Sequence, residues 1–85
     1  MNHYRVAVHI VPRRGILDPQ GEAVAGALRS LGFQQVHGVR VGRHVVIDAQ
    51  AEDEARARGV VSEMCERLLA NPVTEDFEIA GVERA

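Results

Sequence analysis

An α+β fold is predicted for this chain: a two-layer sandwich of an antiparallel sheet with two helices on one face, in ferredoxin-like order. Three observations carry that expectation. Apolar residues alternate near both ends and again mid-chain, two segments carry apolar stripes at helical spacing, and residues suited to helix ends bracket those stripes. With 85 residues, the chain has room for one domain, spanning 1–85.

The elements follow in order. His3 to Val11 places Tyr4, Val6, Val8 and Ile10 on one side and Arg5, Ala7 and His9 on the other, the period of a half-buried strand. Pro12 to Leu17 reads as a loop. Asp18 is suited to cap a helix and Pro19 to its first position, where a missing N–H is no loss. From Pro19 to Leu31 a stripe of Val24, Ala27, Leu28 and Leu31 predicts an amphipathic helix with that stripe buried, and Gly32 closes it. Gly21 and Gly26 weaken the helix by roughly 1 kcal/mol each relative to alanine, a loss consistent with close packing.

Val36 to Ala49 admits two solutions. Val39, Val41, Val45 and Ile47 share one parity. A three-residue hairpin loop at Gly42-Arg43-His44 keeps them on one face. A single strand of about 14 residues does so too, but at roughly 46 Å its far half would have to pair with another subunit across a dimer. The order is therefore β-α-β-β-α-β or β-α-β(long)-α-β. Glu52 to Ala70 predicts the second helix, with acids in its first turn and a buried stripe of Ala57, Val61, Met64, Cys65 and Leu68. Asn71, tolerant of the left-handed conformation, and Pro72 end it. Thr74 to Val82 predicts a closing strand with Phe77 and Ile79 inward.

Composition narrows the function. Apolar residues make up 46% and aromatics 4%, so the core must come from Val, Ile, Leu and Ala. A chain this short buries only about 60–65% of its unfolded surface, which favours self-association. The single cysteine excludes an internal disulfide and suits a reducing compartment. No apolar run approaches the ~20 residues of a membrane span, and the N-terminus enters a strand pattern directly, so a cytoplasmic protein without a signal peptide is expected. Residues 1–44 carry six arginines against two acids (+4), and residues 45–85 carry ten acids against four arginines (−6), for a net −2. Folding mixes the two halves on one surface, and the strands lack the aromatics that stack on bases, so no nucleic-acid partner is expected.

No catalytic, metal or cofactor residues are assigned. Cys65 lies in an apolar stripe without a nearby base. His3 and His9 are too far apart on one strand, roughly 20 Å, to share an ion. The Pro12-Arg13-Arg14-Gly15 loop before a helix start resembles an anion cradle, but Asp18 would repel an anion there. The open sheet face, expected to show Arg5, Ala7, His9, Arg40, Val46 and Asp48, mixes apolar and charged residues as an interface does. Arg40 and Arg43 flank Gly42 and can reach carboxylates. Arg40, Gly42, Arg43, Arg5 and His9 are the partner-contact candidates; Asp18, Pro19, Gly21, Gly32, Asn71 and Pro72 are structural helix-boundary residues.

Several segments together resemble one family: Leu17-Asp18-Pro19-Gln20-Gly21, Leu31-Gly32-Phe33, Val39-Arg40-Val41-Gly42-Arg43, and Cys65 through Asp76. They are similar to the PurS family, the small subunits of phosphoribosylformylglycinamidine synthase in purine biosynthesis, over Tyr4 to about Ile79. The family commonly has lysine at the place of Arg43, and a tyrosine at that of Phe77. The resemblance implies a homodimer or higher oligomer joining a glutaminase subunit to a large synthetase subunit and helping ammonia pass between them. The complex uses ATP, Mg²⁺ and glutamine to convert formylglycinamide ribonucleotide to the amidine; this chain would hold no cofactor. The alternative from the residues alone is a small-ligand-binding regulatory domain.

Overall fold

The computed structural model describes residues 1–85. Its elements are β1 (Asn2–Pro12), α1 (Pro19–Ser30), β2 (Arg43–Ala51), α2 (Glu54–Met64) and β3 (Glu75–Arg84), with a wider π-type turn at Cys65–Leu69 closing α2. The sheet order is β2-β1-β3, and both pairings are antiparallel. β1 is central because its alternation is the cleanest: Tyr4 is 7% exposed, and Val6, Val8 and Ile10 are fully buried. These four pack against Ala57, Val61 and Cys65 of α2 and its π turn. The arrangement is the ferredoxin-like order without its outer edge strand.

The sequence expectations for 36–49 need correction. There is neither a hairpin nor a long strand: β2 begins only at Arg43, so the sheet has three strands. The backbone of Val36 to Val41 is held by α1 side chains instead. Arg29 Nε and Nη2 donate to the carbonyls of Val36 and His37 at 3.1 Å, and Val41 N–H donates to Asp18 Oδ2 at 3.0 Å. These bonds take up Val36 O, His37 O and Val41 N–H, backbone groups that a strand ladder would otherwise use. Val45, Ile47 and Ala49 keep the expected inward parity.

A second correction concerns α1. It does not share the sheet face with α2; it projects beyond the end of the sheet and packs on its own return loop. The buried positions of α1 are Gly21 and Ala25, not the Val24–Leu28–Leu31 stripe. The chain is therefore elongated, with extents of 51 × 26 × 14 Å and a radius of gyration of 16.2 Å, against about 12 Å for a compact domain of this length.

The helix boundaries behave largely as their residues dictate. Asp18 Oδ1 accepts from Gly21 N–H at 3.1 Å, with Pro19 first in the helix. Gly32 at φ 103° ends α1, with Phe33 N–H donating to Leu28 O and Gly32 N–H to Arg29 O, both at 3.0 Å. Asn71 differs from expectation, since no residue other than glycine has positive φ. Ala70 turns extended to end the helix, and Asn71 heads a side-chain turn in which its Oδ1 accepts from Val73 N–H at 3.0 Å. The α2 stripe is also rephased. Ala70 N–H donates to Cys65 O, and that five-residue span shifts the register by one. Leu69 and Ala70 thus face the core, while Leu68 is 82% exposed.

Candidate interaction surfaces

The junction between α1, its return loop and the sheet is built from small residues at points of contact. A β-carbon on Gly21 would lie 2.2 Å from Val39 O, and one on Gly42 would lie 2.1 Å from Ile10 O. Both positions therefore exclude any side chain. Asp18 sits between them and uses both oxygens, one on Gly21 N–H and one on Val41 N–H. These bonds, Gly21 first, hold its carboxyl below the usual range. Its second bond is invisible in local sequence, where Asp18 reads only as a cap. Asp18→Ala is expected to lower Tm by about 8 °C, and Asp18→Asn by roughly half that, since one acceptor oxygen remains at Gly21. A thermal melt with unchanged Tm, together with lost partner binding, would make Asp18 a contact residue instead.

Arg43 is not free. Its Nη1 and Nη2 donate to the two oxygens of Glu75 at 2.9 Å each, and Nη2 also donates to Leu69 O at 2.9 Å. Glu75 additionally accepts from Asn71 N–H at 2.8 Å. The Arg43 guanidinium holds the Glu75 carboxyl low, and Glu75 in turn raises Arg43. The pair joins the start of β2 to the start of β3 across β1 and closes the end of the π turn. Nothing in sequence pairs Arg43 with a residue this distant; only the topology brings them together.

The remaining candidates lie apart. Arg40 is on the return loop, not the open sheet face as expected; it is exposed, with a single contact from Nη1 to Pro12 O at 3.3 Å. Arg5 and His9 do stand on the open face, opposite α2. Arg5 pairs with Asp48 at 3.4 Å, and His9 faces His44 with ring centroids 4.9 Å apart. Acids from β3 (Asp76, Glu78 and Glu83) flank them on neighbouring register positions. This face carries charge of both signs around Ala7 and Val46, and no helix covers it.

Cys65 is fully buried, and desolvation pushes its thiol upward, away from the thiolate a nucleophile needs. No group of three or more His, Cys, Asp or Glu side chains is placed to hold a metal ion. No helix is long and apolar enough to cross a membrane. What the geometry offers is surface: a mixed open sheet face, a projecting amphipathic helix, and an apolar groove beside α2.

A family model described as PurS, phosphoribosylformylglycinamidine (FGAM) synthase, matches residues 5–83. A PurS subunit of phosphoribosylformylglycinamidine synthase from Synechocystis is 40% identical over 88 aligned positions, covering 100% of this chain and 88% of that one. Among solved structures, Thermus thermophilus PurS superposes with a TM-score of 0.85 at 38% identity, covering 98% of each chain. A chain of the Thermotoga maritima PurLQS structure superposes with a TM-score of 0.82 at 30% identity, covering 100% of both.

Proposed function

The chain belongs to the PurS family, and from that premise we propose that it is the small, non-catalytic subunit of a cytoplasmic phosphoribosylformylglycinamidine synthase, acting in purine biosynthesis. In this reading it self-associates as a homodimer and bridges a glutaminase subunit and a large synthetase subunit. Glutamine hydrolysis in one partner supplies ammonia. The other partner, which holds ATP and Mg²⁺, uses it to convert formylglycinamide ribonucleotide to formylglycinamidine ribonucleotide. The observation that carries the proposal is the full-length likeness to a chain in the PurLQS structure. The surfaces of this chain agree with it. An amphipathic helix that leaves its own sheet, and a sheet face of mixed polarity, are features of a binding subunit.

The test is reconstitution with the two partners, fed either glutamine or free ammonia. Omitting this chain should abolish most glutamine-dependent turnover while leaving ammonia-dependent turnover largely intact, because ammonia in bulk bypasses delivery between subunits. Equal loss of the two activities would overturn the delivery role. Arg40→Ala removes an exposed charge that the fold barely uses. It should lower glutamine-dependent turnover about 5-fold, the scale of one rim charge, with the loss growing smaller at high salt. Arg43 is a poor probe of docking here, since its substitution also breaks the tie to Glu75.

A further inference from the structure

The antiparallel pairing of β1 with β2 sets His9 directly opposite His44 on the open face of the sheet. Both side chains are exposed, with ring centroids 4.9 Å apart and ring planes tilted at 52°. Their nitrogens are left to solvent, since the side-chain hydrogen bonds of this face join Arg5 to Asp48 and His3 to Gln50 instead. On the other side of His9, β3 places Glu78 opposite it. A hollow of about 360 Å³ lies there, lined by His9, Val11, Asp76, Phe77 and Glu78. Asp76 is tied to Arg13 at 3.0 Å and Asp48 to Arg5 at 3.4 Å, so Glu78 is the acid beside His9 with no cation paired to it. The strand register makes this arrangement; within β1 alone, His3 and His9 lie too far apart to share an ion.

We infer that His9 and His44 of one chain together bind a single divalent transition-metal ion of the zinc class. Distance carries the inference. Two imidazoles that share a tetrahedral ion, each through one nitrogen at about 2.0–2.1 Å, hold their ring centres roughly 5 Å apart, and 4.9 Å is the separation in this chain. The tilt suits it as well, because tilted rings can converge on one point and face-to-face rings cannot. Chemistry selects the ion. Neutral imidazole is a nitrogen donor suited to Zn²⁺, Ni²⁺ and Cu²⁺, whereas Mg²⁺ takes oxygen ligands. No third His, Cys, Asp or Glu closes on the pair to complete a cage, so water fills the remaining positions and the ion is exchangeable rather than structural. Glu78 acts through its charge, favouring a cation on a face where Asp48 and Asp76 are already paired. The His9–His44 pair lies one position from the end of the β1–β2 ladder, next to Ile10 and Arg43, so a bound ion ties the start of β2 to β1. The site does not depend on the assembly proposed above.

Zinc chloride titrated calorimetrically into the chain at about pH 7.5, where an ordinary imidazole is mostly neutral, tests this. The wild type should take up one Zn²⁺ per chain and give no response to Mg²⁺. His9→Ala and His44→Ala should each weaken uptake by at least about 10-fold, since losing a mere outer partner of a ligand already costs that much. His3→Ala and His37→Ala, which leave the pair intact, should not change it. Zinc at about ten times its dissociation constant should raise the wild-type Tm by roughly 6–10 °C. Both rings of the pair are exposed, so circular dichroism should be the same in all four variants. Proton NMR of the wild type keeps the test independent of any folding defect: the ring signals of His9 and His44 should move with zinc before those of His3 and His37. No zinc uptake by the wild type, uptake that survives His9→Ala, or ring shifts confined to His3 or His37 would each overturn the site. One ion per two chains would overturn it too, because the rings would then ligate between copies. Equal uptake of Mg²⁺ would assign the ion to the acids and overturn the histidine pair.

Discussion

Gly21→Ala is expected to lower Tm by at least about 10 °C, while Gly26→Ala, further along the same helix, raises it by about 4 °C. Propensity alone predicts a gain at both positions, of roughly 0.5–1 kcal/mol each. The surroundings decide otherwise. At Gly26 an added β-carbon meets nothing within 4 Å, so the propensity gain stands. At Gly21 it would lie 2.2 Å from Val39 O and 2.4 Å from Asp18 Oδ2. Neither can retreat cheaply, because Asp18 is pinned by two N–H groups and the loop at Val39 by Arg29 and Asp18 on either side. The return loop would lift from α1, which costs the bond from Val41 N–H to Asp18 Oδ2 and the burial of Ala25. Gly42→Ala meets a similar obstacle at Ile10 O and should fall by a comparable amount through the start of the β1–β2 ladder. Differential scanning calorimetry on the three variants checks the signs. A stabilised Gly21→Ala would mean that the loop can rearrange and that the close approach is incidental.

The contrast shows which parts of the fold were legible. β1 could be read because its burial is set by local alternation, and α1 began and ended where Asp18-Pro19 and Gly32 place it. The family, too, was legible in Leu17–Gly21 and Cys65–Asp76. What could not be read depends on distant partners. Val39 and Val41 have strand parity, yet Asp18 and Arg29 claim the backbone around them. Leu68 has helix-stripe parity, yet the π turn at Cys65 moves the core register to Leu69. The Val24–Leu28–Leu31 stripe is apolar, but amphipathicity does not say which surface a helix meets: α1 turns Gly21 and Ala25 toward its return loop and leaves Val24 and Leu31 exposed. Arg43 looked like a docking residue for the same reason: its fork geometry was visible, while Glu75 on the far strand was not.

Glu75→Gln is expected to lower stability by about 1–2 kcal/mol at neutral pH, the range for a charge-assisted tie discounted for solvent screening. Arg43 is half exposed in that tie, whereas the Glu75 side chain is only 16% exposed. Arg43→Ala should fall further, because it strands a shielded carboxylate and removes the donor to Leu69 O. Arg43→Lys should fall least, keeping the charge but not all three bonds. The pH dependence follows from the direction of the Glu75 shift. Arg43 and then Asn71 N–H hold its carboxyl below the ordinary value near 4.3, so the unfolded chain takes up the proton first as pH falls. The contribution is therefore complete above about pH 5 and is lost as pH drops through the lowered folded value. Asp18, shifted in the same direction by Gly21 and Val41 N–H groups, adds to the loss in the same window. Wild-type Tm should decline below pH 5 more steeply than that of Glu75→Gln, and the two curves should converge in strong acid. Parallel curves would mean that neither Arg43 nor Asn71 N–H stabilises the charged form of Glu75 over the protonated one, and that the tie is not what holds the π turn.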